Sequence, residues 1–265
     1  MKTLPAVPFG SQGGRTSSRA PSPTDGISGV WAWHSDGRPA ARRYALADGC
    51  SYLLFAFDAA RNGRRDLVHA RLIGPRTKPF VIDDRPQLCV GVRIVPGFAQ
   101  AAFGIPASEL LDQRVDYDLV YPNANADLVD ISTAATDMAR VAHVVALAAL
   151  RLRSSTSVPS SVRSALAHIA IAEGNLRVGS LADRIGVTRQ HLARQFAAHV
   201  GMTAKQFARV KRADAARAQA MAAHAATPGK VNWSVIALRM GYYDQAHLIR
   251  DFKTLTGLTP GKWIR

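Results

Sequence analysis

The chain has 265 residues, with 34 Lys+Arg against 19 Asp+Glu, a formal charge of +15, 48% hydrophobic residues and two cysteines. That length accommodates one or two domains with their own cores, and a hydrophobic fraction near one half excludes general disorder. The longest apolar run, around Val141–Leu150 and interrupted by His143, falls far short of the ~20 residues of a membrane span, so no membrane partner is expected.

Met1–Asp25 is rich in Ser, Pro, Gly and Arg. It has the composition of a disordered tail and lacks the apolar stretch of a secretory leader. Cys50 and Cys89 show no CxxC spacing and read as reduced, buried thiols of a cytoplasmic protein. From Val30 to Pro96 the chain alternates β-branched and aromatic runs (VWAWH, YALADGCSYLLFAF, LVHARLIG, KPFVID, LCVGVRIVP) with the turn sequences DGRP, NGRR, GPRT and DDRP. This pattern predicts a small antiparallel β-barrel or sandwich over 26–125. Trp31, Trp33, Tyr44, Tyr52, Phe55 and Phe57 lie on these strands, as ordinary core or as the lining of an effector pocket. His34, His69 and His143 never approach ligand spacing and Glu109 is the only glutamate of this half, so neither a metal nor another cofactor is expected.

Between Ala126 and Arg153 the apolar period becomes helical, through Leu128, Ile131, Ala135, Met138, Val141, Val145 and Ala149. Residues 126–153 are expected to form one helical segment, a dimer interface or a lid over the barrel. Residues 154–160 (SSTSVPS) read as a linker, and 161–265 as an all-α domain. The overall class is therefore α+β.

Charge is unevenly divided. Residues 1–159 carry 18 Lys+Arg and 14 Asp+Glu, a net of +4, whereas residues 160–265 carry 16 and 5, a net of +11. Such concentration points to a polyanion, most simply nucleic acid, with a basic membrane-surface patch as the other option. The same segment holds an internal repeat. Leu181–Arg209 and Ile236–Arg265 align at an offset of 55, which becomes 56 after one extra residue near Tyr243. Matched identities include Gly186/Gly241, His191/His247, Leu192/Leu248, Arg194/Arg250, Phe196/Phe252, Gly201/Gly257 and Thr203/Thr259.

Each copy reads as helix, glycine turn, helix. In the first, Ser180 with Asp183 gives a capping-box-like start, Gly186 supplies the turn and Thr188 caps the second helix. Asn232, Gly241 and Asp244 play these parts in the second copy. This is the helix-turn-helix pattern, whose second helix enters a major groove. On the helical wheel Leu192 and Phe196 face inward while Gln190 and Arg194 face outward; Leu248 and Phe252 face inward while Ala246, Arg250 and Lys253 face outward. Outward arginine suits guanine and glutamine suits adenine. Thr188, Lys205, Lys253 and Lys262 near helix starts suit phosphate oxygens, and Arg189 reads as solubilising or phosphate-near. His191 and His247 lie on the wheel's flank, open to packing or base contact. An Ala/Arg/Lys-rich helix from Thr203 to about Ala223 would hold the two copies ~30 Å apart, close to the ~34 Å between successive major-groove faces.

The stretches GMTAKQFARVKRADAARAQA and IALRMGYYDQAHLIRDFKTLTGLTPGKW resemble the paired helix-turn-helix domain of AraC/XylS-type transcription regulators, across roughly Val162–Arg265. Residues 28–125 resemble the β-barrel sensor domain that several members place upstream. The resemblance implies a sequence-specific transcription regulator of double-stranded DNA. Gln190 and Arg194 in one recognition helix, and Gln245, Ala246, His247 and Arg250 in the other, would face bases or groove. It also implies a small-molecule effector, a homodimer and, for an activator, contact with RNA polymerase. Ala246 departs from the pattern, standing where many members carry a polar reader. Two other readings remain at this stage: a DNA-repair alkyl acceptor using Cys50 or Cys89, and a sequence-indifferent architectural DNA binder.

Overall fold

The computed structural model describes residues 14–19, 26–35, 44–45, 47–58, 65–81, 87–153 and 158–264. Strands β1 (Gly14–Arg19), β2 (Ile27–Ser35), β4 (Ser51–Phe57), β5 (Leu67–Ile73), β7 (Leu88–Ile94) and β8 (Arg114–Asp116) form one antiparallel sheet, in the order β1-β2-β7-β4-β5-β8. Two-residue strands β3 (Tyr44–Ala45) and β6 (Phe80–Val81) pair separately. The central strands YLLFAF and LCVGVRI are apolar at nearly every position because both of their faces are buried. Leu53, Phe55, Phe57, Val90 and Val92 face the helices, and Trp31, Trp33, Ala56 and Cys89 cluster on the other face. Gly91 leaves room for the Trp31 indole, since a Cβ there would sit 2.2 Å from the ring.

The composition of residues 1–25 reads as a tail, yet residues 14–19 form the edge strand β1, Thr16 opposite Trp33. Edge pairing uses only backbone N–H and C=O groups, so it demands no apolar alternation. The rest of that segment, and residues 154–157 of the linker, lie outside the described residues.

Helices α1 (Ala99–Phe103), α2 (Tyr117–Val120), α3 (Ala124–Thr133) and α4 (Asp137–Arg153) cover one sheet face. The single helix expected over 126–153 is two. The Ser132 and Thr133 hydroxyls donate to the Val129 carbonyl, ending α3, and Thr136 Oγ1 accepts from the Ala139 N–H, starting α4. The break resets the phase, so Met138 is exposed and Val144, Leu147 and Ala148 take the core. Arg140 is buried against the Phe57 ring and donates to Asp137. Asp137 also accepts from Arg65 and His34. Burial pushes its carboxyl upward, and those donors outweigh it, holding the group below its ordinary value.

The C-terminal half comprises α5 (Ser160–Ile171), α6 (Leu181–Ile185), α7 (Arg189–Val200), α8 (Ala204–Ala226), α9 (Trp233–Arg239), α10 (Gln245–Thr256) and α11 (Pro260–Trp263). Helix α8 belongs to two cores. Its Phe207, Ala208, Val210 and Ala213 pack with Leu181, Leu192 and Phe196. Its Ala216 and Ala220 pack with Ile236, Leu248 and Phe252. Phe252 lies edge-on to Trp233 and Trp263, at 6.2 and 6.0 Å between ring centres.

The β-rich half docks on this bundle through backbone groups. The Ala107 N–H donates to the Ala198 carbonyl at 2.6 Å, and the Ala47 N–H to the Leu255 carbonyl at 3.2 Å. Those carbonyls lie in the last turns of α7 and α10, which a helix leaves without internal partners. Gly201, at φ 81°, ends α7 and also admits the Ala107 carbonyl, which a Cβ would meet at 2.6 Å. His199 is buried at this junction, and its Nδ1 has no hydrogen-bond partner among the described residues. Burial lowers its pKa, partly offset by a hydrogen bond to the Gly97 backbone.

Truncating Phe252 to Ala removes a ring packed between two indoles and is expected to cost ~3–5 kcal/mol, read from the urea midpoint at unchanged slope. His199 is harder to protonate folded than unfolded. Its contribution is therefore intact above about pH 6.5 and is lost as the pH falls through and below that value. Melting of the whole chain should drop between about pH 7 and pH 5.5, and H199Q should flatten that part of the profile.

Candidate nucleic-acid interface

The local sequence fixes the second helix of each unit, α7 and α10, at its start. Thr188 Oγ1 accepts the His191 N–H at 3.1 Å to cap α7, and Asp244 Oδ1 accepts the His247 N–H at 2.7 Å to cap α10. Gly186 and Gly241 stand at φ 76° and 70°, in the left-handed region the preceding turn requires. Asn232 caps α9 as expected. Ser180 does not cap α6: a short 3-10 turn over Val178–Ser180 precedes that helix, and the Ser180 hydroxyl donates to the Arg177 carbonyl. The spacer starts with a full capping box, Thr203 with Gln206, which the Ala-rich pattern had not signalled.

The residues expected to face nucleic acid lie outside the packing seam. Thr188, Arg189, Gln190, Arg194, Lys205, Gln245, Ala246, Arg250 and Lys253 are exposed, whereas Leu192, Phe196, Leu248 and Phe252 are buried. Arg194 and Lys253 have no carboxylate partner among the described residues, and Arg189 meets Asp183 only at 3.8 Å with both side chains in solvent. Arg250 Nε donates to the Ala246 carbonyl at 3.4 Å. Gln245 Oε1 accepts from the Ser234 hydroxyl at 2.8 Å, which ties the first residue of α10 to α9. His247 is half-buried, its ring edge-on to Tyr242 at 5.2 Å.

Three features escaped the sequence reading. Tyr243, the extra residue of the second copy, is 92% exposed in the turn before α10. Asp251 is buried and receives Arg209 Nη2 at 2.8 Å, with Arg212 Nη2 at 3.6 Å, so two spacer arginines hold α10 through one carboxylate. A solvent-open groove of about 440 Å3 runs beside α10 over that carboxylate. The misalignment at Tyr243 was the one available signal.

The six aromatics of the β-rich half do not meet in one cavity. Trp31 and Trp33 lie on one face of the sheet, Phe55 and Phe57 on the other against the helices, and Tyr52 bonds Asp48. The side chain of Tyr44 lies outside the described residues. Cys50 is buried, and burial together with Asp48 pushes its thiol far above the ordinary range, the opposite of an activated thiolate. Among the described residues no cluster of His, Cys, Asp and Glu has the makings of a metal site, and no helix is long and apolar enough to cross a membrane.

Removing either cap tests the local geometry. T188A and D244A should each cost ~1 kcal/mol and lower the melting temperature by a few degrees, with helix content falling in circular dichroism.

Residues 181–265 match the family described as a helix-turn-helix domain, and residues 22–116 match a domain of unknown function, DUF6597. No curated protein matches the chain. Among solved structures, the C-terminal domain of AraT, a response regulator from Geobacillus stearothermophilus, is similar at 21% identity and a TM-score of 0.36, covering 42% of this chain and 88% of its own. ToxT from Vibrio cholerae is similar at 9% identity and a TM-score of 0.43, covering 94% of this chain and 96% of its own. A ToxT structure with an unsaturated fatty acid bound is similar at 9% identity and a TM-score of 0.41, with 97% and 94% covered.

Proposed function

We propose that this chain, whose residues 181–265 match a helix-turn-helix domain, is a cytoplasmic, sequence-specific, DNA-binding transcription regulator of the AraC type. The observation that carries the reading is the repeat itself. Two capped helices, α7 and α10, bury matched Leu and Phe pairs and expose matched arginines, Arg194 and Arg250. Guanidinium groups in that position suit guanine O6 and N7, and Gln190 suits adenine. Ala246 offers the second helix an apolar contact for a thymine methyl. Lys205, Lys253, Thr188 and Arg189 suit phosphates, supplying salt-sensitive affinity without sequence preference.

The β-rich half bears on that binding through the ends of both recognition helices, where its Ala107 and Ala47 N–H groups are bonded. A small effector that altered the sheet would act on reading geometry through those bonds. The exposed residues Met138, Ala142, Ala146 and Leu150 along α4 suit a homodimer contact. Neither thiol environment favours the alkyl-acceptor reading.

The test is selection of binding sites from random duplex by the full chain, followed by affinities at physiological salt. R194A and R250A should each cost the selected site ~1–3 kcal/mol and relax preference at particular positions. K253Q should weaken selected and random DNA alike. Equal affinity of the wild-type chain for selected and random duplexes would overturn the reading.

A further inference from the structure

We propose that the groove beside α10 is a phosphate-binding notch in which the spacer helix α8, through Arg209, grips the DNA backbone next to the second recognition helix. The inference rests on the DNA-binding reading and adds a contact surface to it.

His247, Arg250 and Thr254 line the groove along α10, Tyr243 borders it from the preceding turn, Arg209 enters from α8, and Asp251 forms the floor. Side chains at 247, 250 and 254 recur at three- and four-residue steps, so they form one stripe on α10. Lys205, Arg209 and Arg212 form a second stripe on α8 by the same spacing. The floor carboxylate faces two arginines, Arg209 and Arg212, so positive charge is in surplus around it. Asp244, at the rim, has one oxygen committed to the His247 N–H as the helix cap.

Asp251 takes up the Nε and Nη2 side of Arg209, at 3.5 and 2.8 Å. The carboxylate thus holds the guanidinium in place while its Nη1 edge remains for another acceptor, an arrangement suited to a phosphate oxygen. The side chain is 39% exposed, enough for contact from solvent. The Tyr243 hydroxyl, the Arg250 guanidinium and the His247 ring add donors around the same space. The occupant that fits is a phosphodiester of duplex DNA, because the groove adjoins the N-terminal turns of a helix whose outer face carries Arg250.

The notch has no counterpart in the first copy. Tyr243 is the inserted residue, and the positions matching Asp251 and Thr254 are Gln195 and Ala198. The packing skeleton shared by the copies does not account for these residues.

The experiment uses the full chain and a duplex selected from random sequence by that chain. R209Q keeps an amide that can donate to Asp251 but removes the charge. It is expected to weaken selected and random duplexes alike, by about 3–10-fold, and to lower the slope of log affinity against log salt by about 0.9, one phosphate contact. Phosphate-ethylation interference should lose one position with R209Q and keep the others. Y243F leaves the fold untouched, because the ring is in solvent, and should weaken both duplexes about 2–5-fold. An R209Q chain of wild-type melting temperature with unchanged affinities, salt slope and ethylation pattern would overturn the notch, as would loss of preference without a change in salt slope. Should R209Q unfold, an unchanged affinity and ethylation pattern in Y243F would overturn it. In each case continued discrimination by the wild-type chain leaves the DNA-reading function standing. Competition by inorganic phosphate at millimolar concentration, with no ethylation-sensitive position at the notch, would assign it to a free anion and overturn the DNA contact.

Discussion

The C-terminal half depends on one helix being shared by two cores. Helix α8 places Phe207, Ala208, Val210 and Ala213 in the first core and Ala216 and Ala220 in the second. At 1.5 Å per residue its 23 residues span ~35 Å. Neither helix-turn-helix unit can shift along or around it without opening a packed interior, and close-packed interiors resist small displacements. The small alanines matter here, because they let α9 and α10 approach the spacer closely. The Asp251 clamp adds direction, since a buried carboxylate between Arg209 and Arg212 fixes α10 about its own axis. On the proposed function, two reading surfaces on one stiff element would be set in register before any DNA arrived, which would reduce the ordering cost of binding.

The β-rich half attaches where such a bundle is most readily influenced. Carbonyls in the last turn of a helix lack internal partners and must be satisfied from outside. Here the Ala107 and Ala47 N–H groups satisfy one such carbonyl on each of α7 and α10. Phe98, Leu111 and Ala47 extend the first helical core into the β-rich half, and Gly49 lies against the Phe207 ring, so close that a Cβ would meet it at 2.6 Å. The same spacer residue therefore senses the first recognition helix, through Phe196 at 5.9 Å, and the loop before β4. That loop touches α10 directly, through Ala47, and reaches α7 through the Phe207 ring of the spacer.

Much of this was legible in the sequence, and the residues show why. Thr188, Asp244 and Asn232 carry their capping function in their own side chains, and Gly186 and Gly241 are demanded by backbone conformation. Inward Leu–Phe pairs at four-residue spacing leave only one way round for each helix. The missed features depend on groups that leave no pattern. Backbone N–H donors from Ala47 and Ala107 are invisible in side-chain chemistry, and Gly201 reads as a helix terminator whether or not a second segment presses on it. The division of α3 from α4 rests on hydroxyls of Ser132, Thr133 and Thr136, residues that also occur inside helices. The aromatics Trp31 and Phe55 share strand parity, but the faces they occupy follow from pairing register, which the pattern alone does not set.

The two copies have kept a skeleton and lost equivalence elsewhere, and this bears on the DNA reading proposed for the chain. Matched glycines, inward Leu–Phe pairs and outward arginines preserve the shape of each unit. The first unit has Gln190 on its outer face and its helix end covered by the Ala107 segment. The second has Ala246, an exposed Tyr243 and a carboxylate floor under two arginines. Identical readers on one rod would favour a repeated half-site, because each would recognise the same bases. If the proposed function holds, unlike readers on the same rod would favour an asymmetric site with a defined direction, for reversing the duplex would place each head over the other's sequence. On the proposed function, orientation on DNA would then follow from the divergence of the copies within each chain.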